Sequence, residues 1–472
     1  MNKKILFSII AGVVLLAGGV VGAFTFIKSP KEAYLYAEYK SLNSAIEQLE
    51  QRFEEDLKWN ELTKKHPTKT DYELSADVED WYNFLDYEII DAINSSSIDL
   101  TVQSDPKDNS MALSIGATIF DFTIDPFTAY LKDKKVVGEM PFQDEALEIN
   151  IEKLLELSEE ELGNACLKDA DLERLIKQKE IITAEDLEHL QKKLLPEIVK
   201  SLPDKAFKKD GNELTMNLTS GDFEKILDVT ADTLKEDKVI KRIVNDYLIL
   251  EGECENYTVA EAIDEIMSEI SNADIDSSLK SVITVEGSHI VERKLYIEDE
   301  LVLKGTQNFK DKIVFDYEIT DSENDITAIL KGEIGTGKDI RDEFKIAIEE
   351  MEILYESKEE QDKKEREFER TITATDGYEE ILLKWDGTQS FTGDSYVSDN
   401  EILFDIREGS VSLHVKSDSK KTKGFDLPKD TINLTDMSES EMEEYFTNDI
   451  AENFLIWAED LIYEFQDLLN NF

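Results

Sequence analysis

The stretch DITAILKGEIGTGKDIRDEFKIAI, residues 325–348, supports two opposite readings. Its middle, GEIGTGKD (332–339), comes within one residue of the phosphate-binding pattern G-x-x-x-x-G-K-[ST]. Gly332, Gly337 and Lys338 fit, but Asp339 stands where the pattern needs a hydroxyl. A phosphate loop requires that hydroxyl on Mg²⁺ and a helix N-terminus facing the phosphates. Asp339 sets a carboxylate there instead, and the flanks read as strands, with Phe344, Ile346 and Ile348 alternating. Gly335-Thr336-Gly337 is then a hairpin turn, because glycine accepts the positive φ that tight turns need. On this reading the stretch is a hairpin in a sheet and carries no nucleotide chemistry.

Working outward, strands dominate from about 281 to 420: SVITVEG, HIVERKLYIE, ELVLKG, KIVFDYEIT, EILLKW, EILFDI and VSLHVKS follow one another through short polar turns. KEEQDKKEREFER (358–370) is charged on all sides and reads as a hairpin tip or frayed helix. Nearer the start, YELSADV, SIDLTVQ, MALSIGATIFDFTID and TAYLKDKKVVGEM form a first strand meander. Helices are expected over roughly 152–201, in a pair over GDFEKILDVTADTLKEDKVIKRIVNDYL, and from Thr258. Ser438 and Glu441 cap the last helix, whose stripe is Ile450, Phe454, Trp457, Leu461, Phe465 and Leu468. The order suggests an α+β fold of two modules, 67–250 and 251–472, each a curved antiparallel sheet with packed helices.

Before these modules lie two further segments. Ile5 to Ile27 contains no charge and is long enough, at about 34 Å as a helix, to cross a bilayer. Lys3 and Lys4 precede it, so residues 1–29 are expected to be a transmembrane anchor with a cytoplasmic N-terminus and the bulk of the chain outside. No second run is comparable, which predicts a single pass. Residues 30–66 read as an amphipathic helix, opened by the capping pair Ser29 and Glu32 with Pro30 between them. Leu35, Tyr39, Leu42, Ile46, Leu49 and Phe53 recur at alternating steps of four and three. That stripe, residues 35–53, either packs on its own domain or pairs with a protein partner.

The 472-residue chain carries 106 acidic and 52 basic residues, a net charge of −54, which repels nucleic acid. With 41% hydrophobic and 9% aromatic residues it can build packed cores. Catalytic signals are weak. His66, His189, His289 and His414 have no partner at ligand spacing, and no H-E-x-x-H or G-x-S-x-G occurs. Cys166 and Cys254 lack metal spacing, and NADID (272–276) lacks the glycine and terminal glutamate of a calcium loop. Trp81, Tyr82, Phe84 and Tyr87, or Phe454, Trp457, Tyr463 and Phe465, could line an apolar pocket, although such groups more often form the core face of a helix. No catalytic, cofactor-binding or metal residue is assigned.

MNKK followed by a long apolar start, KLYIEDELVLKG (294–305) and LTMNLTSGDFEKILDVTADTLKEDK (214–238) resemble uncharacterised single-pass exported proteins of Gram-positive bacteria. The last two also resemble bacterial lipoproteins whose half-barrel sheets carry lipids. The resemblance implies an extracytoplasmic, non-enzymatic role and transfers no functional residue. The expectation is a protein anchored in the cell membrane through residues 5–27, binding a lipid or other apolar ligand in a sheet–helix cleft. The alternative is a cell-envelope interaction or scaffold protein with filled cores.

Overall fold

The computed structural model describes residues 29–79, 85–120, 122–153, 195–250, 278–310, 312–320, 326–337, 339–348, 351–362, 364–406 and 409–471, with a few isolated positions between 186 and 264. The expected membrane span at 5–27, Cys166, Cys254, Trp81, Tyr82, Phe84 and Lys338 lie outside these residues.

The described chain opens with α1 (Pro30–Arg52) and α2 (Glu54–Thr63). Ser29 caps α1: its hydroxyl accepts from the Glu32 amide, and Glu32 accepts from the Ser29 amide at 2.9 Å. The expected single helix over 30–66 is therefore two, parted at Phe53. β1 (Thr68–Glu79) and α3 (Tyr87–Asn94) precede a run of five strands. These are β2 (Ser96–Asp105), β3 (Ser110–Ile119), β4 (Phe122–Lys132), β5 (Lys135–Glu139) and β6 (Ala146–Asn150). Next come α4 (Leu195–Ser201), β7 (Phe207–Asp210), β8 (Glu213–Leu218), α5 (Ser220–Glu236) and α6 (Lys238–Leu250). A long meander follows: β9 (Leu279–Glu286), β10 (His289–Ile297), β11 (Glu300–Asn308), β12 (Ile313–Thr320), β13 (Ile326–Ile334) and β14 (Asp339–Ile348). It continues through β15 (Met351–Asp362), β16 (Glu365–Thr375), β17 (Glu380–Phe391), β18 (Ser395–Ile406) and β19 (Gly409–Lys421). β20 (Thr431–Asn433), α7 (Glu439–Tyr445) and α8 (Ala451–Asn471) close it, with a π-helical turn over 446–450 between the two helices.

All twenty described strands belong to one hydrogen-bonded sheet, so the expected α+β fold of two separate sheet modules behind a transmembrane helix is corrected. Helical segments read as module boundaries interrupt the sequence without interrupting the ladder. β8 pairs with β9 although α5 and α6 lie between them in the chain. β1 pairs with β19, Leu74 opposite Val415, across most of the protein's length. Among the described residues no helix is long and apolar enough to cross a membrane.

Two compact units form, interleaved in the chain: Met1–Phe53, Glu180–Lys358 and Ile372–Tyr378 in the first, Glu54–Lys179, Glu359–Thr371 and Glu379–Phe472 in the second. Neither follows the expected division at 250. In the first unit β7 to β14 pair antiparallel in chain order. Its core gathers Tyr34 and Leu35 of α1, Leu202, Phe223, Met216, Leu218 and Ile283. In the second unit the order is β17–β18–β19–β1–β2–β3–β4–β5–β6, antiparallel throughout, and β20 adds to β6 in parallel.

Strict alternation sorts the side chains onto two faces. One face carries cross-strand ion pairs such as Lys304–Glu318 at 2.8 Å and Lys312–Glu333 at 2.7 Å in the first unit. Lys416 stands opposite Glu73 in the second. The other face is apolar. The charged segment 358–370 obeys the same rule: it is no frayed helix but the end of β15 and the start of β16, as the hairpin reading had it, with Glu359, Arg366 and Phe368 buried.

Candidate functional site

Two features of the apolar face carry chemistry, one in each unit. In the first unit α1 lies against it, but not by its apolar stripe. The row turned to the sheet is Tyr34, Glu38, Ser41, Ala45, Gln48 and Arg52, which is the expected stripe shifted by one residue, about 100° round the helix. Of the stripe itself Leu35 is buried, Tyr39, Leu42, Leu49 and Phe53 are half-buried and Ile46 is exposed.

The shift places polar groups in a buried seam, and each has its partner. The Glu38 carboxylate accepts from both Arg293 Nη1 and Nη2, at 2.8 and 2.6 Å. Arg52 forks onto Asp342 at 2.8 and 2.9 Å, and Asp342 also accepts from the Gly335 amide and the Ser357 hydroxyl. Tyr34 donates to Ser281, Ser41 accepts from the Ile290 amide at 2.8 Å, and Gln48 donates to the Phe309 carbonyl. Burial, with the Glu38 charge beside it, pushes the Tyr34 phenol well above its usual range. Burial raises Tyr317 too, and the neighbouring Arg293 opposes that shift. Fork-to-fork arginine–carboxylate pairs are the strong, geometrically specific kind. The two forks make the seam a fixed latch between α1 and the sheet.

The second unit uses the same device. Arg366 on β16 forks onto Asp56 of α2 at 3.2 and 2.7 Å, and Trp59 of α2 stacks on Tyr396 with centroids 6.0 Å apart. Beyond that end the apolar face changes character. In register from β17 to β6 it carries no charged residue except Lys421 at the tip of β19. Toward one end of the strands it is hydroxylated: Ser398 bonds Ser417 at 2.8 Å, and Ser419 donates to Thr70. Toward the other it is large and apolar, and Phe404, Leu413, Ile98, Ile115, Phe127 and Val136 remain half-exposed there. Trp457 reaches this face as Trp59 does. Trp457 of α8 packs against Phe127 and Phe142 at 5.9 and 5.6 Å, and Phe454 meets Phe142 at 5.5 Å.

The near-phosphate loop joins β13 to β14, which pair antiparallel with Ile334 opposite Asp342. No helix follows it. The two glycines that match the pattern have other reasons to be there. Gly332 sits between Phe315 and Phe344 across three strands, and a Cβ would come within 2.6 Å of one ring and 2.7 Å of the other. Gly337 has φ +109, a conformation open to glycine. The histidines are dispersed: His189 contacts Asp237 at 2.7 Å, His289 lies 3.1 Å from Ser44, and His414 lies 2.9 Å from Asp77. Among the described residues no three His, Cys, Asp or Glu side chains gather as a metal site. Tyr87 and Tyr463 are exposed.

No protein-family model and no curated protein matches the chain. Similar solved structures are outer-membrane proteins. A loop-deletion mutant of OmpT, an outer membrane protein of Vibrio cholerae, is 8% identical with a TM-score of 0.19, covering 75% of this chain and 98% of that one. The translocator domain of the autotransporter NalP from Neisseria meningitidis is 5% identical, TM-score 0.18, over 81% and 98%. OpdL of Pseudomonas aeruginosa is 5% identical, TM-score 0.17, over 76% and 98%. The expectation of a single-pass cell-membrane protein with a ligand cleft or filled modules is corrected here. The described strands form one sheet, and among the described residues no helix is long and apolar enough to cross a membrane. At TM-scores below 0.2 they carry no argument for a channel or a location in this chain.

Proposed function

We propose that this is a non-catalytic polypeptide-binding protein, which takes amphipathic helices of partner proteins on the uncharged sheet face of the second unit. The observation that supports the reading most strongly is that half-exposed face itself, running without charge from β18 to β5. Monomers rarely leave a contiguous apolar surface open without a use for it. The occupant is a helix because helices of this chain already sit on the face, α2 by Trp59 on Tyr396 and α8 by Trp457 on Phe127. A partner helix laid beside them would use the helix-in-groove mode, reading apolar anchors at three- and four-residue steps. Nucleic acid is no candidate against a net charge of −54.

The test is fluorescence anisotropy with the purified protein and a labelled peptide whose helix presents a leucine stripe. A scrambled isomer and a labelled fatty acid serve as comparisons. The ordered peptide should bind, the isomer should not, and salt should change little because the face is uncharged. Ile115→Lys should abolish binding while the protein stays folded, since Ile115 is half-exposed. Fatty-acid binding without peptide binding would overturn the reading, as would equal binding of both peptides.

A further inference from the structure

The outer side of α8 presents a second, differently built surface. Trp457 and Leu461 face the sheet side, while Leu455, Ile456, Ile462 and Tyr463 point away and are 59, 54, 56 and 70% exposed. Their spacing is regular. Leu455 and Ile462 lie seven apart, as do Ile456 and Tyr463, so they form two apolar ridges along the helix. Glu452 and Glu459, also seven apart and both exposed, run between the ridges. No lysine, arginine or histidine occurs after Lys429, so nothing on this helix neutralises that carboxylate row.

We infer that the outer face of α8 docks a basic amphipathic helix, one with lysine or arginine at heptad spacing flanked by apolar residues. The ridges supply the apolar contact and the central row supplies the sign. Charge complementarity selects this occupant over a second copy of the chain, because a second α8 would set carboxylate against carboxylate. The surface is distinct from the uncharged sheet face and stands whether or not that face binds peptide. It would also weaken with salt where the sheet face would not, since its pairing is ionic and exposed.

The experiment uses the full chain and a labelled helical peptide with a heptad lysine row between leucines. A scrambled isomer of identical charge controls for the attraction that any cation feels toward so acidic a protein. The ordered peptide should bind at least tenfold more tightly than its isomer and weaken as salt rises. Glu452→Lys with Glu459→Lys should cost tenfold or more, and a peptide with glutamate in place of lysine should then recover binding. Ile115→Lys should leave this interaction unchanged, which separates its failure from failure of the sheet-face reading. Equal binding of the isomer, indifference to the charge reversal, or a self-associated protein that dissociates on the same reversal would each overturn the inference.

Discussion

Glu38 and Arg293 show what a single pair can do in a surrounding that excludes water. Both are nearly buried, and their attraction is spent largely against the loss of hydration. Removing one partner is the costly change, because it strands the other charge. Arg293→Leu or Glu38→Leu alone should therefore lower stability by about 3–5 kcal/mol, whereas the double variant should lie near the wild type or above it. Urea titration of the three variants checks this; additive losses would mean that the two residues are not energetically coupled. Neither residue could be singled out in the sequence. A glutamate in an amphipathic helix and an arginine in HIVERKLYIE both read as solvent-facing, and only the register that sets them opposite each other reveals the pair.

Among the elements, the β13–β14 hairpin was legible from its alternation and its glycines, because both signals are local. What lay hidden was the reason for Gly332, which depends on Phe315 and Phe344 meeting over it from the two adjacent strands. Gly332→Ala should force those rings apart and cost about 1–3 kcal/mol, as overpacking does. Mg-ATP should leave the melting temperature of both proteins unchanged; an ATP-induced rise lost in the variant would return the loop to nucleotide binding. The face of α1 was misread by one residue for a related reason. The apolar stripe from Leu35 to Phe53 follows the rule for a helix on an apolar core, but the sheet beneath offers Arg293 and Asp342. The tertiary partners overruled the stripe. Segment 358–370 left a hairpin and a frayed helix both open because its charges outnumber its apolar positions, yet its alternation, with Arg366 and Phe368 inward, is that of a strand.

At the scale of the whole molecule, the sequence conveyed strand content and helix caps but not the continuity of the sheet. Continuity rests on pairings such as β1 with β19, which no local pattern announces. The net charge of −54 has a consequence of its own. Ion pairs on the charged face are exposed and individually worth about 0–1 kcal/mol, too little to offset general repulsion. Raising salt from about 0.01 M to about 1 M shortens the screening length from about 30 Å to about 3 Å. The melting temperature should rise across that range, by several degrees; a fall would show that the ion pairs outweigh the repulsion.

The latch on α1 also bears on how the chain finds its arrangement. Glu38 and Arg52 lie 14 residues apart, about 21 Å along a helix. Their partners stand on β10 and β14, four strand spacings apart, about 19 Å. The two rulers agree, so the helix can engage both ends at once. The signs are also opposed, minus then plus on the helix, plus then minus on the sheet. A helix laid down backwards would bring Glu38 to Asp342 and Arg52 to Arg293. Such a mistake reads as two errors in a message two letters long, and it is rejected before any apolar contact is judged.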